Sequence, residues 1–127
     1  MKSMMIAVDF DDTMVKHSYP EIGEPIDNAI ETVQALVEAG HKIILYTMRS
    51  GERLVQAVEY MEENDIKLWA VNTNPTQHHW TKSRKIFAHL YIDNASLGTP
   101  LEHEETGRPF VDWYEVETQL KELGYLE

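Results

Sequence analysis

The sequence contains no cysteine, which excludes disulfide bonds and metal sites built on thiolates. It also lacks an uninterrupted apolar run of about 18 residues, the length that a membrane-spanning helix needs. A single lysine precedes a short apolar run that ends at Asp9, which differs from a secretory signal. We therefore expect a cytoplasmic protein with no membrane segment.

Basic residues are few, since 11 lysines and arginines stand against 22 aspartates and glutamates, a formal net charge of −11. Proteins that bind nucleic acids need a basic surface to meet the phosphate backbone, so we expect no nucleic-acid partner. One short stretch departs from this acidity, because Lys82, Arg84 and Lys85 lie together just before an apolar run. The length of 127 residues is typical of one domain, taken as residues 1–127.

Apolar runs alternate with amphipathic stretches along the chain, which predicts alternating strands and helices. We predict strands at about 4–8, 42–46, 68–71 and 88–92, and helices at about 26–39, 51–63 and from 113 onward. The segments 13–24 and 97–110 contain several breakers and are predicted to be irregular. Repeated strand–helix alternation predicts an α/β fold with a mostly parallel sheet.

Three of the predicted strands end in polar side chains. Asp9 and Asp11 follow the first strand, Thr47 the second and Asp93 the fourth. Ligands of open α/β sheets bind beyond the carboxyl ends of the strands, so we expect these side chains to meet there. Two converging carboxylates repel each other unless a cation lies between them, and hard oxygen ligands favour Mg²⁺. The alternative is structural, because aspartates after a strand are also common in turns and helix caps.

The ordered set of these motifs resembles the haloacid-dehalogenase-like phosphatase superfamily over nearly the whole chain. The matching segments are Asp9-Phe10-Asp11-Asp12-Thr13, the strand ending in Thr47, Lys85 (with Lys82 as a weaker candidate), and the strand ending in Asp93-Asn94. The resemblance implies a Rossmann-like three-layer α/β/α sandwich. The intervals 14–24 and 72–84 are too short to fold as a cap domain, so the chain is most similar to the small capless hydrolases grouped with capsule-biosynthesis phosphatases.

Two positions depart from the pattern of this superfamily. Asp12 stands where glycine is common, which alters the turn but removes no catalytic group. Asn94 replaces the second acid of the fourth motif, which leaves one fewer negative charge around the metal.

The resemblance implies a magnesium-dependent phosphatase that hydrolyses a small phosphomonoester through an aspartyl-phosphate. Asp9 is then the nucleophile, and Asp11 is the general acid and base. Mg²⁺ is expected to bind Asp9, Asp93 and the Asp11 carbonyl. The groups expected to hold the phosphoryl oxygens are Thr47, the backbone N–H of Met48, and Lys85.

Four further residues lie near the predicted site and are expected to touch the substrate or support the residues that do: Arg49, Asn72, Asn74 and Asn94. For Arg49, the alternative is an ion pair at the surface. The open, capless site favours a homo-oligomer, in which a neighbouring subunit shields it, unless the segment 13–24 does so.

Two other functions fit the same motifs. One is a regulatory domain without catalysis that keeps the fold and binds the metal or phosphate. The other is a phosphate-receiver domain, but its phosphorylated aspartate normally lies on a later strand than the acidic pair, and no acid directly follows Tyr46.

Overall fold

The computed structural model of the protein describes residues 2–127. Its strands are β1 (Met5–Val8), β2 (Lys42–Leu45), β3 (Ala70–Val71) and β4 (Leu90–Ile92), and its helices are α1 (Ala29–Glu38), α2 (Gly51–Glu63) and α3 (Trp113–Glu122). The four strands form a parallel sheet in the order β3–β2–β1–β4. The predicted α/β class and parallel sheet are confirmed, and residues 2–127 contain no separate cap domain.

The larger hydrophobic core lies between one face of the sheet and the helices. Alternate residues of β1 and β2 point into it, and each helix contributes buried apolar side chains: Ala29, Val33 and Leu36 from α1, Ala57 and Met61 from α2, and Trp113, Val116 and Leu120 from α3. None of the helices among the described residues is long and apolar enough to cross a membrane.

The opposite face of the sheet carries a smaller apolar cluster of Ala7, Ile44, Ala70 and Ala88. The partly buried residues that pack on this cluster are Trp69, Ile86 and Tyr91, which lie at or near β3 and β4. The β3–β4 loop, residues 72–89, therefore contributes to the cover of this face, and it contains only one short 3₁₀ turn at Gln77–His79.

Several predicted boundaries are wrong for local reasons. Helix α1 begins three residues later than predicted, because the Ile26 N–H donates to the Met14 carbonyl (3.0 Å) and Asn28, just before the helix, has a left-handed backbone (φ +68°). The spacing of the apolar residues after 112 predicts that Leu123 faces the core, but it is 62% exposed, since α3 ends at Glu122. The sequence also predicts that Asp112 caps this helix, and Asp112 Oδ1 accepts from the Glu115 N–H (3.2 Å).

The segment 97–110 is not wholly irregular. It contains β5 (Leu101–Glu102), which pairs antiparallel with β6 (Phe110–Val111). The Val111 N–H donates to the Asp12 carbonyl (3.0 Å), so this small sheet is fastened to the turn that follows β1.

The segment after β1 contains no helix or strand, as predicted, and residues 16–24 fold back on themselves as a flap. The Lys16 N–H donates to the Glu24 carbonyl (2.8 Å) and closes its base. Gly23 is required for this closure, because a Cβ at that position would lie 1.8 Å from the Lys16 carbonyl oxygen. The flap stands directly beside the carboxyl end of β1.

Candidate active site

Asp9 lies where the chain order of the sheet changes direction, at the carboxyl end of the central strand β1. Val8 pairs with Leu45 of β2 on one side and with Ile92 of β4 on the other, so Asp9 and Asp93 extend from the same level of the sheet. Both carboxylates line a cleft of about 230 Å³, together with Lys85. The structure thus brings together three of the predicted site residues.

A hydrogen-bond network fixes the carboxylate of Asp9. Thr13 Oγ1 donates to Asp9 Oδ2 (3.0 Å), and the Asn94 N–H donates to Thr13 Oγ1 (3.2 Å). With its amide turned to satisfy its neighbours, Asn94 also donates from Nδ2 to Asp9 Oδ2 (2.9 Å). An acid at position 94 would repel Asp9, whereas the asparagine orients it.

Burial is the main reason why the pKa of Asp9 is raised from 3.8 to about 7. The negative charge of Asp93 raises it further, and Asp11 adds a smaller effect of the same sign. Hydrogen bonds from the Phe10 backbone and from Thr13 oppose this rise. The site therefore holds more negative charge than its own donors neutralise.

The donor set fits a hard divalent cation that keeps most of its water ligands. No group of three or more His, Cys, Asp or Glu side chains within residues 2–127 is arranged to hold a metal. Asp9 and Asp93 supply two carboxylates, and the Asp11 carbonyl oxygen accepts no backbone hydrogen bond from the described residues. Mg²⁺ is typically bound by one or two carboxylates and several waters, so these residues have the chemistry that this ion requires.

The side chain of Asp11 is held by Arg49 in a bidentate ion pair. Arg49 Nε lies 2.9 Å from Asp11 Oδ2, and Arg49 Nη2 lies 2.8 Å from Asp11 Oδ1. Arg49 is only 3% exposed, so the alternative of an ion pair at the surface is wrong. A direct contact between substrate and Arg49 is also inconsistent with this burial.

The same arginine holds the tip of the flap over the site. Its Nη1 donates to the Pro20 carbonyl (3.1 Å) and its Nη2 to the Glu21 carbonyl (2.8 Å). The guanidinium also lies between the rings of Phe10 and Tyr19, at 5.1 Å from each ring centroid. Arg49 therefore joins the end of β2, the turn after β1 and the flap.

Thr47 and Met48 present two free donors at the end of β2. Thr47 Oγ1 accepts from the Arg49 N–H (3.1 Å), so its own hydrogen remains available to a ligand. The Met48 N–H donates to no acceptor within the part of the chain that the structure describes. Asn72 holds this turn, since its Oδ1 accepts from the Thr47 N–H (2.8 Å) and its Nδ2 donates to the Thr47 carbonyl (3.0 Å).

Asn74 was predicted to touch the substrate or to support the residues that do. In the structure it instead holds the β3–β4 loop together. It is 6% exposed, and its Nδ2 donates to the Phe87 carbonyl (3.0 Å) while its Oδ1 accepts from Thr76. Thr13 is a functional residue that the sequence analysis missed, because the first motif includes it but no role was predicted for it. Its position four residues after Asp9, in a tight turn, could have indicated the hydrogen bond to the Asp9 carboxylate.

Asp12 explains how the chain dispenses with the glycine that is common at this position. Its φ is +59°, in the left-handed region that favours glycine but that aspartate tolerates. Asp12 Oδ1 accepts from the His17 N–H (2.9 Å), which stabilises the start of the flap. Asp12 in place of glycine therefore keeps the shape of the turn after β1 and adds a hydrogen bond to the start of the flap.

A solved structure matches this chain closely. It is the structure of a conserved protein from Bacteroides thetaiotaomicron, with a TM-score of 0.79 and 38% sequence identity, over 96% of this chain and 93% of that chain. The chain belongs to the same family as that protein. The description of the Bacteroides protein states no activity, so the likeness shows the family and the fold. Scans against protein-family models and against curated proteins find no match.

Removing the Arg49 guanidinium should destabilise the protein markedly. Arg49→Met keeps much of the side-chain volume but leaves the Asp11 carboxylate and two flap carbonyls without donors. We expect the free energy of unfolding, measured by urea denaturation, to fall by at least about 2 kcal/mol. The matched control is Arg53→Met, because among residues 2–127 the Arg53 side chain bonds only that of Gln56, and its loss should cost about 0.5 kcal/mol or less. Equal midpoints for the two variants would contradict the structural role.

The raised pKa of Asp9, about 7 against an ordinary 3.8, predicts how stability depends on pH without metal. Because the folded state holds this proton more tightly, its contribution is complete below about pH 4 and is lost as the pH rises through about 7. Relative to Asp9→Asn, the wild-type free energy of unfolding should fall by up to about 4 kcal/mol over this range.

Urea denaturation of both proteins between about pH 4 and pH 8 measures this difference. Added Mg²⁺ should restore the wild-type stability at the upper end and leave Asp9→Asn nearly unchanged. Parallel pH profiles for the two proteins would show that Asp9 does not titrate in this way.

Proposed function

We propose that this protein is a cytoplasmic, magnesium-dependent phosphatase of the haloacid-dehalogenase-like superfamily that hydrolyses a small phosphomonoester. The observation that carries the proposal is the placement of Asp9. Its carboxylate is oriented by Thr13 and Asn94 and shares a cleft with Asp93 and Lys85. This arrangement suits attack on a phosphate held beside the end of the sheet.

In the first step, a carboxylate oxygen of Asp9 forms a bond to phosphorus while the bond between phosphorus and the leaving oxygen breaks. Asp11 gives its proton to the leaving oxygen. Asp11 then accepts a proton from the water that attacks the aspartyl-phosphate, which releases inorganic phosphate and restores Asp9. The two steps together leave both side chains as they began.

Charge neutralisation is the main task of the remaining groups. At a separation of about 4 Å, each pair of unit charges repels by roughly 4 kcal/mol at an effective dielectric constant near 20. Lys85 supplies one positive charge, and Thr47 and the Met48 N–H supply donors for the phosphoryl oxygens. Mg²⁺ bound by Asp9, Asp93 and the Asp11 carbonyl would offset the rest of this repulsion.

The ion pair with Arg49 constrains the proton transfer. Both oxygens of Asp11 accept from the guanidinium, so a proton on either oxygen displaces one of the two bonds. The acid step therefore requires Asp11 to turn away from one guanidinium nitrogen. Since that guanidinium also holds the flap, movement of Asp11 and movement of the flap are coupled.

The same ion pair is the observation that favours the second candidate, a domain without catalysis that binds a metal or phosphate. In that function Asp11 serves only to hold Arg49 and the flap. The two functions differ in turnover, which an assay measures directly.

The assay compares release of inorganic phosphate from a set of small phosphomonoesters with and without Mg²⁺. We expect steady turnover that requires the metal, and a loss of at least about a thousandfold in Asp9→Asn, because the amide is not a nucleophile. Asp27→Asn is the matched control, since Asp27 is exposed and lies outside the site. Binding of Mg²⁺ without turnover would favour the second candidate, and a tenth of wild-type turnover in Asp9→Asn would exclude this nucleophile.

Loss of the general acid should depend on the leaving group. Asp11→Asn keeps the carbonyl oxygen but has no proton to give, so alkyl phosphates, whose leaving oxygens are strongly basic, should slow far more than aryl phosphates. The ratio of kcat/KM for an alkyl and an aryl ester, in the wild type and the variant, measures this effect. Equal losses for both esters would count against proton donation by Asp11.

A further inference from the structure

A second cleft, of about 360 Å³, lies in the β3–β4 loop, and we name it the cation cleft. Its lining includes Lys82, Arg84 and His78 together with amide and hydroxyl groups, Asn72 and Ser83 among them, and contains no aspartate or glutamate. This composition is unusual on a chain whose acids outnumber its bases 22 to 11. Clefts lined by one sign of charge attract ligands of the opposite sign.

The backbone that carries these cations is fixed by a buried amide. Gln77 is 8% exposed, and its Nε2 donates to the carbonyls of Ser83 (3.0 Å) and Lys85 (2.7 Å). Its Oε1 accepts from the Phe87 N–H (2.8 Å). All the hydrogen-bonding groups of this side chain are thus used to hold the segment 83–87 in one shape.

The cations in this segment have no acidic partners. Within residues 2–127, no carboxylate oxygen lies within 4.0 Å of the side-chain nitrogens of Lys82, Arg84 or Lys85. Lys85 shares its cleft with Asp9 and Asp93, whereas Lys82 and Arg84 are exposed side chains of the cation cleft. Lys82 and Arg84 are therefore available to an external anion.

Two residues connect the cation cleft with the candidate active site. Asn72 lines the cation cleft and holds the backbone of Thr47 by two hydrogen bonds. Lys85 lines the cleft of Asp9 and directly follows Arg84 in the chain. Since Asn72 and Thr47 follow β3 and β2 as Asp9 follows β1, both clefts lie at the carboxyl edge of the same sheet.

We infer that the cation cleft binds a second oxyanion, a carboxylate or phosphate, carried by the leaving group of the substrate. This inference rests on the proposed phosphatase function and narrows its substrate class from phosphomonoesters in general to those with a second anionic group. Arg84 and Lys82 donate to that oxyanion, and Lys85 serves the phosphate that is transferred.

The other groove near β4 does not suit such a leaving group. It lies between β4 and α3, where its lining includes Leu90, Leu97 and Leu120 and has no charged side chain. An anionic group placed there would lose hydration without gaining a partner. In the cation cleft, Lys82 and Arg84 can replace the hydration that the anionic group loses.

Two compounds of nearly equal size separate these possibilities. Glycerol 3-phosphate and 3-phosphoglycerate differ in that one ends in a hydroxymethyl group and the other in a carboxylate. Their affinities are measured by isothermal titration calorimetry without Mg²⁺ on the Asp9→Asn protein, which keeps Lys85 and Thr47, lacks the Asp9 charge that repels phosphate, and consumes neither compound. We expect 3-phosphoglycerate to bind at least about tenfold more tightly, as charge-assisted hydrogen bonds predict.

The decisive variant adds Lys82→Gln and Arg84→Gln to this protein. It should reduce the affinity for 3-phosphoglycerate to that for glycerol 3-phosphate, and leave the latter unchanged. The control adds Lys67→Gln and Arg108→Gln, which remove the same net charge from two exposed positions outside both clefts and should leave the tenfold preference intact.

Equal affinities in the parent protein, no binding of either compound, or a preference that survives Lys82→Gln and Arg84→Gln would overturn the inference. Turnover of both esters is measured separately with Asp9 intact. A protein that prefers 3-phosphoglycerate in binding but hydrolyses neither ester contradicts the proposed phosphatase and retains the second-oxyanion site. A protein that hydrolyses both esters but binds them with equal affinity supports the proposed phosphatase and contradicts the second-oxyanion site.

Discussion

The ion pair between Arg49 and Asp11 is the interaction on which the arrangement of the site depends. It connects the turn after β1 with the turn after β2, and the same guanidinium holds the flap through the carbonyls of Pro20 and Glu21. A lysine would not replace it, because only the planar guanidinium donates in several fixed directions at once. The residue that restrains Asp11 therefore also sets the position of the flap, and under the proposed function the shielding of the site and the proton transfer would depend on one side chain.

Around this pair, the molecule separates its charges by position. Asp9 and Asp93 meet at the end of the sheet, where burial makes the negative charge of Asp9 costly. Asn94 limits that cost, because it donates to Asp9 where a third acid would repel it. Lys82 and Arg84 line the cation cleft of the neighbouring loop, and Lys85 alone of the three lines the cleft of the acidic pair. Negative charge at one cleft and positive charge at the next suits a metal in the first and an anion in the second.

The sequence predicted the features that depend on local pattern and missed those that depend on side-chain direction. Apolar runs ending in polar residues located Asp9, Thr47 and Asp93, because a buried parallel strand is short and its end is abrupt. The partner of Arg49 lies 38 residues away, and the direction of its side chain depends on the turn after β2, which no periodicity specifies. The same holds for the β3–β4 loop, where Asn74 and Gln77 were polar residues at a ligand-binding edge but are buried and satisfied by backbone groups.

The acidic surface and the cation cleft are compatible because electrostatic interactions act over different distances. At physiological ionic strength, charges farther apart than about 8 Å are largely screened in solvent, whereas an anion in contact with Lys82 and Arg84 interacts with them fully. A small molecule with two anionic groups fits within that range and meets only the cations and the metal-binding cleft. A nucleic acid extends far beyond it and brings many phosphates against a protein of net charge −11. Under the proposed function, the same charge distribution would attract a compact dianionic or trianionic substrate and repel a long polyanion, which would give an open, capless site a means of selection that needs no enclosing walls.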